Sequence, residues 1–249
     1  MPRAHRYYLP GHVWHITHRC HQQEFFLKFA RDRKRWIEWL FEAKKRYDLC
    51  VLNYVATSNH IHLLVRDCGN GEIARSLQLV EGRVAQEYNL RKKRKGAFWE
   101  DRYHATAVST DDHLLRCLLY IDFNMVRAGV VKHPADWLDG GYAELLDERQ
   151  RYCVLDREAL QELLGISDRE ELTLSRRKWV DDFLESMRPG RDACWTESLA
   201  VGSVDFVRSV QDALGQKGNH RQIDRAEGGF VLRETELDYQ AIRSAKRSF

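Results

Sequence analysis

Apolar positions along the chain recur at two spacings, and their order predicts a sheet with helices packed on it. Gly11 to Cys20 (GHVWHITHRC) carries Val13, Trp14, Ile16 and Thr17, a strand-forming composition. Residues 30–47 follow a helical period, with Trp36, Leu40 and either Ala43 or Trp39 on one apolar stripe. Two further strands are predicted at Leu49–Ala56 and Ile61–Arg66, joined by the turn-forming Thr57-Ser58-Asn59. A helix over Glu72–Leu90 aligns Ile73, Leu77, Val80, Val84 and Tyr88. A short strand at Ala105–Ser109 precedes a helix that Thr110 or Asp111 can cap, running to about Arg127 and ending at Ala128-Gly129. This order reads as an α+β layer built on an antiparallel sheet.

After about Tyr142 the pattern changes to helices alone, at 156–164, 167–187, 203–214 and 234–246. Gly215 to Gly229 is polar and glycine-bearing and reads as a loop or linker. The division this implies is a domain over 1–150 and a helical C-terminal region, 151–249, of unassigned role.

Length and composition add exclusions. At 249 residues, with four prolines and 43% hydrophobic residues, the chain can bury a core and is neither collagenous nor largely disordered. No apolar window approaches the ~18 residues of a membrane span. Met1–Tyr8 lacks the apolar stretch of a secretory signal, so a cytoplasmic location is expected. The six cysteines form no C-x-x-C pair and are expected as buried or half-buried free thiols.

The net charge of +3 conceals an asymmetry. Residues 1–110 carry 20 Lys+Arg against 11 Asp+Glu, a net +9, whereas 111–149 carry −4 and 150–249 carry −2. A basic excess confined to the first half is what a polyanion-binding surface requires.

The sharpest chemical feature is Asn59-His60-Ile61-His62-Leu63-Leu64-Val65. Histidines two apart on a strand point to one face and can share a metal ion, although two imidazoles on a half-exposed sheet show the same spacing. Tyr120 and Asn124, four apart, share one face of the helix that follows. An amide oxygen from Asn124 can supply a third ligand to a metal on His60 and His62, beside the Tyr120 phenol. His12, His15, His18 and His21 recur every third residue; on a strand they alternate faces and cannot converge, so they read as polar strand residues near the binding face.

These residues occur in an ordered set of blocks. Tyr54-Val55-Ala56-Thr57-Ser58-Asn59-His60-Ile61-His62-Leu63-Leu64 resembles the signature of the HUH single-tyrosine (IS200-like) transposases. Trp14–Arg19 resembles their opening strand and Gly96–Tyr103 their Phe-Trp-x-x-Arg-Tyr segment. Tyr120-Ile121-Asp122-Phe123-Asn124-Met125-Val126-Arg127-Ala128-Gly129 is similar to their nucleophile helix. Within that family the blocks most resemble the REP-associated tyrosine transposases, which process hairpin-forming repeats. Thr57-Ser58 replaces the family's Met-Pro and Met125 its proline; neither change removes a ligand or the nucleophile.

The resemblance implies an HUH, ferredoxin-like antiparallel sheet with helices packed on it. It also implies a metal-dependent endonuclease and strand transferase acting on single-stranded or hairpin DNA through a 5′-phosphotyrosine at Tyr120. Mg²⁺ or Mn²⁺ would be held by His60, His62 and Asn124. A monomer and a homodimer both stay open. The run Arg91-Lys92-Lys93-Arg94-Lys95 sits beside Phe98, Trp99 and Arg102, mixing cations with stacking rings as single-stranded DNA binding needs. Arg127 can hold a phosphate or cap its helix. A non-cleaving DNA- or RNA-binding regulator with the same fold is the alternative. A histidine-triad nucleotide hydrolase would want a third alternating histidine, and position 64 is leucine.

Overall fold

The computed structural model describes residues 9–147, 151–186, 192–226 and 228–234. The first half follows the predicted order: β1 (Val13–Arg19), α1 (Ala30–Tyr47), β2 (Cys50–Ala56), β3 (His60–Arg66), α2 (Glu72–Arg91), β4 (His104–Val108), α3 (Asp112–Asp122) and α4 (Asn124–Arg127). Then come α5 (Gly141–Leu146), α6 (Arg157–Leu164), α7 (Arg169–Ser186), α8 (Cys194–Glu197), β5 (Ala200–Gly202), α9 (Val204–Ala213), β6 (Arg221–Ala226) and β7 (Gly229–Glu234). The seven strands form one sheet in the order β2-β3-β1-β4-β5-β7-β6. All neighbours are antiparallel except β4 and β5, which run parallel.

The α+β reading holds, with helices on both faces of the central strands. Tyr54 of β2 meets Trp36 of α1, and His18 of β1 meets Glu81 of α2, on one face. On the other face Asn53 of β2 donates through Nδ2 to the Leu118 carbonyl and to Asp122 Oδ1 of α3. Burial on both faces explains why β2 reads as a continuous apolar run. The predicted stripes are the buried ones: Trp36, Leu40 and Ala43 on α1, and Ile73, Leu77, Val80 and Val84 on α2, with Tyr88 half-buried.

Asp111 is the cap of α3, its carboxylate accepting from the His113 N–H at 2.9 Å. The single helix expected to run to Arg127 is interrupted at Phe123, and α4 restarts at Asn124. Its end is as expected, with Gly129 at φ +68°, a left-handed turn that glycine adopts without a Cβ clash.

The C-terminal half is not helical alone. Ala200–Gly202 extends the sheet beside β4, and the expected loop over 215–229 contains β6 and leads into β7. The sheet therefore continues past residue 150. The helix expected over 234–246 lies outside the described residues apart from its first position, Glu234, which belongs to β7. All six cysteines are free thiols; Cys68 and Cys153 are exposed rather than buried. Among the described residues no helix is long and apolar enough to cross a membrane.

Candidate active site

The residues singled out on β3 and on α3–α4 meet in one cleft of ≈ 510 Å³, lined among others by His60, His62, Arg102, Tyr120, Asn124 and Arg127. Strand register explains the convergence. Thr17 of β1 lies between His62 of β3 and His104 of β4, and Arg19 pairs with His60, so a row of polar residues crosses one face. Helix α3 packs over that face and delivers Tyr120, and the first residue of α4 delivers Asn124.

Two hydrogen-bond chains fix the histidines. His60 Nδ1 lies 2.7 Å from Asn59 Oδ1 and 2.9 Å from Thr57 Oγ1, so the ring proton belongs on Nδ1 and the lone pair on Nε2. His62 Nδ1 lies 2.9 Å from Nε2 of His15, whose own Nδ1 lies 2.9 Å from the Trp195 carbonyl. The His15 and His62 rings are stacked, 5.0 Å between centroids and 6° from parallel. Burial pushes His15 down to about 3 and holds His62 well below the ordinary histidine value, with His60 and His15 acting in the same direction on His62. Both rings are therefore neutral.

Asn124 Nδ2 donates to His62 Nε2 at 2.9 Å, and the Tyr120 ring stands edge-on to His62 at 5.7 Å. Arg127 crosses back over the nucleophile candidate. Its Cζ lies 4.2 Å above the Tyr120 ring and its Nη2 donates to the Tyr120 carbonyl at 2.6 Å. Burial pulls this guanidinium below its usual value, while Tyr120 and Asp192 act the other way. A cation over the ring favours the phenolate.

The donor set fits a divalent ion. Among the described residues no group of three His, Cys, Asp or Glu is placed to hold a metal. His60 and His62 present Nε2 lone pairs, and Asn124 can add an amide oxygen once its side chain turns from the present N–H contact with His62 Nε2. Such mixed N/O ligation suits Mn²⁺ and tolerates Mg²⁺.

The basic run is less uniform than its sequence. Arg91 is ion-paired with Asp32. Arg94 stacks 4.3 Å over Phe26 and donates to Asn89 Oδ1 and the Ala97 carbonyl. These two arginines brace the turn after α2. Lys92, Lys93 and Lys95 are exposed, and Lys92 Nζ lies 5.7 Å over the ring of Phe29, which is 58% exposed. Phe98 is no stacking platform: it is 2% exposed and packs on Phe26, Tyr88 and Trp99. Trp99 is half-buried, stacked on His18 at 4.7 Å, its indole N–H donated to the Glu81 carbonyl. Arg102 is exposed at the cleft.

Sequence reasoning placed His15 near the binding face but missed its complete burial and its contact with His62. It also missed Trp195, whose carbonyl receives His15 from a segment to which no role had been assigned. His18 likewise is buried, between Glu81 and the Glu100 carbonyl.

Residues 10–124 match the family model described as Transposase IS200 like. Among solved structures, a REP-associated tyrosine transposase bound to a REP hairpin is similar over 63% of this chain and 94% of its own, with 16% identity and a TM-score of 0.49. A candidate transposase from Deinococcus radiodurans R1 is similar over 48% of this chain and 95% of its own, with 14% identity and a TM-score of 0.33. No curated protein matches the sequence.

Proposed function

We propose that the chain is a metal-dependent single-stranded DNA endonuclease and strand transferase of the IS200-like transposase kind, whose family model residues 10–124 match. It cleaves hairpin-associated DNA, with Tyr120 as nucleophile. The observation that carries the reading is the meeting of His62, Asn124, Tyr120 and Arg127 within one cleft of one chain.

The Tyr120 oxygen attacks a phosphodiester phosphorus. The bond from phosphorus to the 3′ oxygen breaks, leaving a 5′-phosphotyrosine and a 3′-hydroxyl, with the phenol proton balanced by the one gained at the 3′ oxygen. A phenol near pKa 10 is a weak nucleophile at neutral pH, and the Arg127 guanidinium over the ring stabilises its anion. Arg102 at the cleft supplies a cation for the backbone phosphates. His60, His62 and Asn124 would hold Mg²⁺ or Mn²⁺, which when bound polarises the scissile phosphate. The 3′-hydroxyl can reverse the reaction on the same or another strand, so no nucleotide cofactor is needed. Lys92 over Phe29, with the exposed Lys93 and Lys95 of the same run, forms a contact surface for the DNA backbone and unpaired bases.

The test is a denaturing gel with labelled single-stranded hairpins in Mn²⁺ or Mg²⁺, comparing wild type, Tyr120→Phe and His62→Ala. A protease-sensitive covalent band with wild type alone is expected. Hairpin binding with no adduct in either metal would replace this reading by a non-cleaving DNA-binding regulator. An adduct that persists in Tyr120→Phe would remove Tyr120 as the nucleophile.

A further inference from the structure

We propose that His15 is a positioning residue that hands the orientation of the Trp195 carbonyl to His62, fixing the tautomer in which His62 Nε2 faces the cleft with its lone pair. The inference rests on the reading of His62 as a metal ligand, and it assigns a function to a residue and a segment outside the HUH and tyrosine motifs.

The argument follows from which atoms can donate. A carbonyl oxygen only accepts, so His15 Nδ1, 2.9 Å from the Trp195 oxygen, carries the proton. In a neutral imidazole the second nitrogen is then an acceptor, and His15 Nε2 receives a hydrogen bond from His62 across 2.9 Å. The proton on His62 therefore sits on Nδ1, and Nε2 is left as the basic nitrogen. That nitrogen is the one 2.9 Å from Asn124. The chain carbonyl–His15–His62–Asn124 is directional, each link determined by the one before it.

The surroundings hold His15 in this role. It is fully buried, and Thr106 on the adjacent strand donates to the Ser198 carbonyl at 2.7 Å, with its oxygen 3.3 Å from the same Trp195 carbonyl. His104 Nε2 also lies 2.9 Å from the Ser198 carbonyl. Three side chains of β1 and β4 thus anchor the segment 195–198. A ligating histidine normally has its other nitrogen fixed by an oxygen acceptor, and here a second imidazole extends the reach of that acceptor. The region after residue 150 is then coupled to the proposed metal site through one backbone oxygen.

The experiment uses the full chain labelled with ¹⁵N-histidine. Two-bond ¹H–¹⁵N correlations of the metal-free wild type, with His62 identified by the loss of its signals in His62→Ala, are expected to show the Nδ1–H tautomer. An Nε2–H tautomer at His62 would overturn the proposal without any variant at position 15. Mn²⁺ affinity is then measured by water-proton relaxation for wild type, His15→Leu and His15→Gln. His15→Leu, which offers no acceptor, is expected to bind Mn²⁺ about 10–100-fold more weakly, while hairpin affinity in EDTA stays at the wild-type value. His15→Gln, able to donate and accept, is expected to recover most of the Mn²⁺ affinity. Folded His15→Leu with wild-type Mn²⁺ affinity would overturn the proposal, as would His15→Gln behaving like His15→Leu. A wild type that binds no Mn²⁺ or Mg²⁺ would instead sink the metal-dependent reading, and the tautomer would still decide the relay.

Discussion

Arg176 of α7 and Asp122 of α3 form an ion pair with both side chains almost wholly out of solvent, two residues from Tyr120. Asp122 also accepts from Asn53 Nδ2 at 2.8 Å, whereas Arg176 Nε and Nη1 have no hydrogen-bond partner among the described residues. Arg176→Met removes the cation and leaves the carboxylate buried, a loss of about 3–5 kcal/mol at pH 7.5. At ~2–4 °C per kcal/mol for a chain of this size, the melting temperature should fall by roughly 6–20 °C. Because the wild-type pair is only partly satisfied, Arg176→Met with Asp122→Asn should recover to within about 1 kcal/mol of wild type, the new amide still accepting from Asn53. Burial already raises the Asp122 carboxyl against the pull of Arg176, and losing Arg176 raises it further. A carboxyl raised above its unfolded value takes up a proton on folding, so the single variant's deficit should shrink between pH 7.5 and pH 5. Urea and thermal unfolding followed by circular dichroism measure all three. A single-variant loss below about 1 kcal/mol, or a double variant no more stable than the single, would refute the reasoning.

Three further outcomes are expected. The metal-free protein should lose stability as pH falls from 6.5 towards about 3, because unfolded His15 protonates in that window and folded His15 does not; Arg127 and His104 press in the same direction, and His62 adds to the loss. His15 alone should cost ~2 kcal/mol at pH 5 relative to pH 8, read from urea midpoints at the two pH values. Replacing Lys92, Lys93 and Lys95 with serine should weaken hairpin binding and flatten the slope of log affinity against log salt by about 2, at ~0.7 per phosphate contact, with the melting temperature unchanged. Phe98→Ala should destabilise the fold by about 3–5 kcal/mol while leaving hairpin affinity at low temperature unaltered, since the ring is core and does not meet bases.

What the sequence made legible were features carried by short-range spacing. His60 and His62 share a face because β-strands have period two, and Tyr120 and Asn124 share one because helices turn in 3.6 residues, even across the interruption at Phe123. Features set by distant partners stayed hidden. An imidazole at position 15 looks the same in sequence whether it meets water or a carbonyl 180 residues away. Strand β5 has three residues, too few to display a period, and β6 (RQIDRA) is a half-exposed outer strand with little apolar signal. Phe98 sits in a basic, aromatic run, yet its ring turns inward to Phe26 and Tyr88. Thr57 stood out only as a departure from the family's Met-Pro; in the fold its hydroxyl lies 2.9 Å from His60 Nδ1, so the departure places an oxygen against a proposed ligand.

Composition changes near residue 150, but the hydrogen bonds do not respect that change. The α7 helix reaches back to Asp122 on the helix that carries Tyr120, and the Trp195 carbonyl reaches His15 on the strand beside the one that carries His60 and His62. Strand β5 meanwhile occupies the edge that β4 would otherwise leave open. The first two contacts end on immediate neighbours of the cleft: Asp122 is two residues from Tyr120, and His15 meets His62. A phenol attacking a phosphate in line needs its position held to a fraction of an ångström, and a small sheet with helices on its faces leaves such a helix few fixed neighbours. The later segments provide such neighbours: Arg176 holds Asp122, two residues from Tyr120, and the Trp195 carbonyl holds His15 against His62.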